Sequence, residues 1–206
     1  MSDSKIAIID YNMGNLRSVE KAFQKIGANV VITNDHNVIN HADKIVLPGV
    51  GSCKEGVENL RQLNLINLLN TQVIENKKFF LGICLGMQLL GSKSYEMEET
   101  PGLNWIKGEV VKFNAQKLKV PHVGWNTVRF TRSNALFEKI PDKTDFYFVH
   151  SYYFRAETEC AACLTDYGID FVSSVNKGNI FGCQFHPEKS QKFGLEILKN
   201  FGNFKK

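Results

Sequence analysis

The chain reads as an α/β fold of three layers, α/β/α, around a mixed, mostly parallel central sheet. Two observations predict it. Short, continuously apolar runs alternate with helix-period segments through the first half, the pattern of strands buried on both faces by crossover helices. The run Phe79–Cys84 then passes through Gly82-Ile83-Cys84-Leu85-Gly86 into a helical pattern at Leu85, Gln88 and Leu89. That is the build of a nucleophile elbow carrying a thiol, at a strand end where open α/β sheets bind ligands.

Each element follows in order. Lys5–Ile9 is an apolar strand ending in the turn-forming Asp10-Tyr11-Asn12-Met13-Gly14. Asn15 is placed to cap the next helix; Leu16, Val19, Phe23 and Ile26 recur at helical spacing, and Gly27 sits where a C-terminal glycine belongs. Asn29–Thr33 is a second strand. A polar connection holding His36 and His41 leads to a third, Lys44–Leu47. Pro48-Gly49-Val50-Gly51-Ser52 is a turn by composition, and its glycines let backbone N–H groups approach an oxygen closely. A helical stretch runs from Cys53 to Glu75 with Val57, Leu60, Leu63, Ile66, Leu69 and Val73 as its apolar face, and Asn64 or Asn67 marks a break.

Beyond Ser92 the pattern turns to β. Glu96–Pro101 reads as an acidic surface turn. Glu109–Phe113 and Thr127–Phe130 read as strands separated by Leu118–Asn126, and Asp145–Phe154 is a dense aromatic, β-favouring run. Ala161–Thr165, Phe171–Val175 and Asn179–Gln184 add strands, and Phe193, Ile197, Leu198 and Phe201 give a closing helix. No repeat or low-complexity segment interrupts residues 1–206, so one mixed sheet in a single domain is the economical assignment.

Composition excludes several functions. With 43% hydrophobic residues the chain can bury a sizeable core, and no apolar run reaches bilayer-spanning length. Its 25 basic and 21 acidic residues leave a formal charge of +4, dispersed except for a small cluster at Asn114–Lys119 near Lys112. A nucleic-acid footprint needs a basic stripe, so none is expected. The start of the chain shows no targeting segment, and the C-terminal Lys205-Lys206 reads as a solvated tail. Five widely spaced cysteines, an odd number, fit a reducing, cytoplasmic setting. Cys160-Ala-Ala-Cys163 lacks a second ligand pair and reads as structural; no histidine spacing suggests a metal, and no cofactor is expected.

The elbow needs a base and an orienting group. His186-Pro187-Glu188 lies at another strand end before a helix: His186 suits the base, Glu188 the carboxylate that holds the imidazole, and Pro187 stiffens the step between them. The helix behind Cys84 offers N–H groups and positive potential, the setting of a nucleophilic thiolate. An oxyanion formed there is met by the N–H of Leu85 and one from Gly49-Val50-Gly51. His122 and His150 border the region without a carboxylate at triad-like spacing.

Gly82-Ile83-Cys84-Leu85-Gly86-Met87-Gln88 together with Gln184-Phe185-His186-Pro187-Glu188-Lys189-Ser190 resembles the class I (triad) glutamine amidotransferases. Four further stretches resemble the HisH-type glutaminase subunits of imidazole glycerol phosphate synthase: Asp10–Leu16, Pro48–Gly51, Val120-Pro121-His122-Val123-Gly124-Trp125-Asn126 and Tyr147-Phe148-Val149-His150-Ser151-Tyr152. The resemblance implies a flavodoxin-like fold and a triad of Cys84, His186 and Glu188. It implies that Gln88, Ser151 and Tyr152 hold L-glutamine, and that Gly49, Val50, Gly51 and Leu85 form or gate the oxyanion site.

It also implies a heterodimer with a (β/α)8-barrel cyclase that receives the ammonia for histidine biosynthesis. Asn12, Asn15, Trp125, Tyr147 and Lys189 match positions that face the cyclase, and little glutaminase activity is implied without it. Two stretches depart from the family pattern, Gly91–Glu99 and Gly102-Leu103-Asn104. They leave a second acceptor open, amidination of a bacterial surface sugar, as in related glutaminases. A cysteine peptidase-like amidase would share the triad but need an open cleft, and an interaction module would carry a vestigial elbow.

Overall fold

The computed structural model describes residues 4–114 and 119–205. Positions 115–118, the middle of the basic cluster, and Lys206 of the tail lie outside the described residues. The first half is β1 (Lys5–Ile9), α1 (Leu16–Lys25), β2 (Asn29–Thr33), α2 (His36–His41), β3 (Lys44–Gly49), α3 (Cys53–Gln62), α4 (Leu65–Leu69), a π-helical turn at Asn70–Glu75, β4 (Phe79–Cys84) and α5 (Leu85–Gln88). The second half is β5 (Lys93–Ser94), β6 (Thr100–Pro101), β7 (Gly108–Lys112), β8 (His122–Phe130), β9 (Thr144–His150), β10 (Tyr152–Ala156), β11 (Ala161–Asp166), β12 (Asp170–Lys177), β13 (Ile180–Cys183) and α6 (Gln191–Asn203).

A nine-stranded sheet runs β2-β1-β3-β4-β13-β12-β11-β8-β9. Pairings from β2 to β13 are parallel and those from β13 to β9 antiparallel, so the sheet is mixed as expected, with a larger antiparallel share than the apolar runs suggest. A second sheet of four strands, β10-β7-β5-β6, stands apart, and the single sheet of the sequence reading is corrected to two. The strand period of two distributes side chains to both faces. Ile6 and Ile8 of β1 pack toward Val19, Phe23, Ile197 and Phe201 of α1 and α6, while Ala7 and Ile9 join Val57, Leu60, Leu65 and Leu69 of α3 and α4. Each fully buried side chain of this size contributes about 2 kcal/mol by leaving water.

α1 ends as its glycine predicts. Gly27 takes φ 73°, and the N–H groups of Gly27 and Ala28 donate to the carbonyls of Gln24 (2.9 Å) and Phe23 (3.1 Å), closing the helix end. Its start differs. Asn15 has φ 70° and makes no side-chain cap bond, because its amide is drawn to a buried carboxylate described below. The polar connection contains α2, which Asp35 caps by accepting from the N–H groups of Asn37 (2.7 Å) and Val38 (3.1 Å). The helical stretch after Cys53 breaks at Asn64, at φ 55°.

Two long-range corrections matter more. β8 begins at His122, so Pro121-His122-Val123-Gly124-Trp125-Asn126 is mainly strand rather than connection. An unbroken antiparallel register from His122↔His150 to Val128↔Thr144 overrides the breaker signal of Gly124. The aromatic run Asp145–Phe154 is cut at Ser151: β9 stays in the large sheet, and β10 pairs with β7 in the small one. Three strands separate β13 from β9 in the sheet order, yet the His186 N–H donates to the Tyr147 carbonyl at 2.9 Å. The antiparallel half therefore curls back over the end of the parallel half, and the cavity described next lies in that curl.

Candidate active site

The elbow is held by its backbone. Cys84 sits at φ 54°, ψ −106°, a conformation that costs about 1–3 kcal/mol and persists only where neighbours fix it. A Cβ on Gly86 would overlap the Leu47 carbonyl oxygen, and one on Gly82 would lie 2.5 Å from the carbonyl oxygen of Gly86. Both glycines are thus required by close approach of backbone, which lets β4 turn directly into the single turn of α5.

The partners come from the segment after β13. His186 Nδ1 lies 2.8 Å from Glu188 Oε1, with ring and carboxylate both buried. Asn15 Nδ2 donates to the same oxygen, while Glu188 Oε2 has no hydrogen-bond partner among the described residues. Ser190 ties the turn to β9, accepting the Tyr147 N–H (3.0 Å) and donating to the His186 carbonyl (2.7 Å). Burial opposes a charge on the His186 ring. The hydrogen bond and charge of Cys84, followed by those of Glu188, outweigh it and push the ring up to about 10.

Gln184 and Gln88 complete the floor. Gln184 Nε2 is 3.7 Å from Cys84 Sγ, and Gln88 Nε2 reaches both Gln184 Oε1 and the Tyr152 carbonyl at 3.0 Å. Over them opens a cavity of about 350 Å³, at the small end for a ligand pocket. The structure brings Val50, Gly51, Cys84, Leu85, Gln88, Ser151, Tyr152, His186 and Lys189 together on its walls. Gly49 lies behind the wall: it belongs to β3, pairs with Cys84 and backs onto the buried Tyr11 hydroxyl. The ladder between β3 and β4 reaches two residues further than the sequence suggests and takes Gly49 with it.

The sequence reading missed Glu96. It lies in the acidic turn, yet it lines the cavity, and its carboxylate accepts the Cys53 N–H at the start of α3 (2.7 Å). Burial raises its pKa, partly countered by that bond. The Tyr152 hydroxyl donates to the Glu96 carbonyl (2.7 Å) and pins the turn over the pocket. No local pattern separates this glutamate from its neighbours Glu98 and Glu99. A larger hollow of about 700 Å³, between Asn70 and Lys177, lies at the opposite end of β4 and β13 and is lined by no cysteine, serine, threonine or histidine among the described residues. Among the described residues no three His, Cys, Asp or Glu side chains are grouped to hold a metal ion, and no helix is long and apolar enough to cross a membrane. All five cysteines are free and buried.

The family model described as glutamine amidotransferase class-I matches residues 7–203. The chain belongs to that family. Within it, this amidotransferase is 50% identical over 197 residues to the imidazole glycerol phosphate synthase subunit HisH 1 of Campylobacter jejuni, covering 95% of this chain and 98% of that one. It is 51% identical to the HisH subunit of Moorella thermoacetica (96% and 93% covered) and 47% identical to that of Geobacter sulfurreducens (98% and 100%). It is a HisH-type glutaminase subunit. The solved structure of PurLQS from Thermotoga maritima shares the fold, with TM-score 0.75 at 16% identity over 97% of this chain and 98% of that one.

Of the residues expected to face a partner, Lys189 lines the cavity of this amidotransferase. Trp125 on β8 is opposite Tyr147 on β9, their rings edge to face at 6.0 Å. Trp125 (47% exposed), Val123 (54%) and Val149 (37%) form an apolar strip, and Val50 (42%) stands at the pocket beside it. Asn12 and Lys189 are exposed, and Asn15 reaches inward to Glu188.

Proposed function

We propose that this chain hydrolyses L-glutamine to glutamate at Cys84 and delivers the ammonia to a (β/α)8-barrel cyclase subunit for histidine synthesis. The observation that carries the reading is Cys84 at a strained elbow facing the same cavity as His186, whose ring is hydrogen-bonded to the buried Glu188, the cavity being sized for an amino acid. Cys84 Sγ attacks the side-chain carboxamide carbon, and the C=O electron pair moves onto oxygen, where the N–H groups of Leu85 and of Val50 or Gly51 stabilise it. His186, charged beside Glu188, gives its proton to the leaving nitrogen as the C–N bond breaks, leaving a thioester and ammonia. Water then attacks the thioester, His186 takes its proton, and the C–S bond breaks to release glutamate and restore the pair.

Glu96 suits the substrate α-ammonium, and the Ser151–Tyr152 backbone with Gln88 suits the α-carboxylate at the same end of the molecule. A polypeptide would need an open cleft, and Glu96 and Tyr152 together close one side. The apolar strip at the mouth favours a partner that seals the cavity and takes up ammonia before it reaches water. Free cysteines in every position fit a reducing cytoplasm.

The test is glutamate release from L-glutamine by the purified chain, alone and with the barrel subunit from the same genome, with imidazole glycerol phosphate formation followed in parallel. Turnover that rises sharply with the barrel and its nucleotide, and covalent labelling of Cys84 by a glutamine-like diazoketone, are expected. Peptide cleavage without glutamine turnover overturns the reading.

A further inference from the structure

His122, His150 and Asn126 take no part in the chemistry above, yet the fold joins them. His150 closes β9 and His122 opens β8 directly opposite it; their rings are 6% and 3% exposed respectively. The proton positions follow from the contacts. His150 Nδ1 is 2.7 Å from the Tyr152 carbonyl oxygen, which can only accept, so Nδ1 carries a proton. A neutral ring then leaves Nε2 as an acceptor. Its neighbour at 2.9 Å is His122 Nδ1, which must therefore donate. His122 Nε2 is left as an acceptor and faces the Asn126 amide nitrogen, a donor, at 3.2 Å. Asn126 is itself fixed, donating to the Asp166 carbonyl (2.9 Å) and accepting the Thr127 N–H (2.7 Å).

One proton assignment satisfies the whole series. A further proton on either ring would set two N–H groups against each other. The surroundings agree: Phe113, Phe148, Phe171 and Tyr167 pack against the rings, and a positive charge on His122 or on His186 disfavours one on His150. Burial lowers His122 to about 4, and burial together with the charges of His122 and His186 lowers His150 to about 3 against the opposing bond to Tyr152.

The far end of this series is the Tyr152 carbonyl, which also receives Gln88 Nε2 and through it Gln184 and Cys84 Sγ. Here the chain leaves one sheet for the other at Ser151, so this peptide lies between two ladders. We infer that the His122–His150 pair is a positioning device for substrate: a neutral, Nδ1-protonated couple that fixes the Ser151–Tyr152 backbone against which the amino-acid end of glutamine is bound. The inference rests on the cavity being a glutamine site and adds to it which residues set the affinity.

Two isosteric substitutions test it in the complex with the barrel subunit. His122→Asn keeps an N–H near the position of Nδ1, whereas His122→Asp has the same shape and presents only acceptors. Roughly tenfold or more in KM is expected to separate Asp from Asn, the scale of one hydrogen bond lost in a buried site, with kcat held within about twofold. The parent labelled with 15N gives the second readout: both imidazoles neutral and Nδ1-protonated at about pH 6. Equal KM in the Asn and Asp variants, or an Nε2-protonated or charged ring in the parent, overturns the inference. A parent complex that does not turn over glutamine overturns the functional reading instead, and the nitrogen shifts still decide the proton arrangement. If the Asp variant does not fold, His150→Asn, which keeps the bond to Tyr152 and loses that to His122, and His150→Phe, which loses both, replace it: a KM raised in each, and by roughly tenfold or more in Phe, with kcat held supports the inference, and KM equal to the parent in both overturns it.

Discussion

The two walls of the cavity are built by opposite means. The elbow wall is made of backbone: Cys84 at positive φ, Gly82 and Gly86 in direct contact with carbonyl groups, and the β3–β4 ladder beneath them. The facing wall is made of side-chain hydrogen bonds that join distant segments, Tyr152 to Glu96, Glu96 to Cys53, His150 to His122 and Gln88 to Tyr152. The first wall is strained and tolerates no added atom. The second is satisfied bond by bond and is expected to change in steps. Under the proposed function, one wall governs whether chemistry occurs, and the other how well the substrate is held.

The sharpest way to break that contrast is at the elbow. Cys84→Ala is expected to lower glutamine hydrolysis by roughly 10⁴-fold or more in the partnered enzyme while the circular dichroism stays that of the parent. Residual activity within about tenfold of the parent would mean that the thiol is not the nucleophile. Next comes Gly86→Ala, whose methyl would overlap the Leu47 carbonyl. A loss of about 3 kcal/mol in urea unfolding is expected, and a neutral result would show that the wall can yield.

Smaller effects are expected on the facing wall. Glu96→Gln keeps the shape and removes the charge, so KM for glutamine should rise about 10- to 100-fold with little change in kcat. A fall in kcat at unchanged KM would place Glu96 with the chemistry instead. Asn15→Ala removes a donor from the buried Glu188 carboxylate and should reduce kcat/KM by roughly tenfold, the scale of a hydrogen bond to a charged group.

A last effect, on stability, concerns pH. Unfolded, His122 and His150 take up protons near the ordinary value of 6.5; folded, they do so only near 4 and 3. Between these values the unfolded chain holds the extra protons, so stability falls as pH drops below 6.5, by at most about 1.4 kcal/mol per pH unit for each ring. Urea midpoints at about pH 7 and pH 5 should show the loss, and His122→Phe should lessen it. Equal midpoints in the parent would show that these rings charge within the folded chain.

Legibility in the sequence follows the same division. Cys84 between two glycines, His186-Pro187-Glu188 and the glycine-rich turn after Pro48 are short, local patterns, and the structure places Cys84, His186, Val50 and Gly51 around one cavity with Glu188 bonded to the His186 ring. Glu96 carries no such mark: its role comes from Tyr152 and Cys53, each more than forty positions away. Asn15 reads as a helix cap because local rules place it there, and only the distant carboxylate of Glu188 draws its amide elsewhere. His122 reads as part of a connection because its pairing partner, His150, lies on another strand.

By itself, the sequence determined the parallel half of the sheet, the elbow and the two strand ends that meet at the cavity, because apolar periodicity, glycine spacing and strand-end motifs are written in contiguous residues. The tertiary structure alone decided the second sheet, the curl that brings β9 onto the His186 turn, and the wall carrying Glu96 and the histidine pair. Those features depend on which strands pair across long separations and on which buried polar groups find partners, and neither choice leaves a local trace.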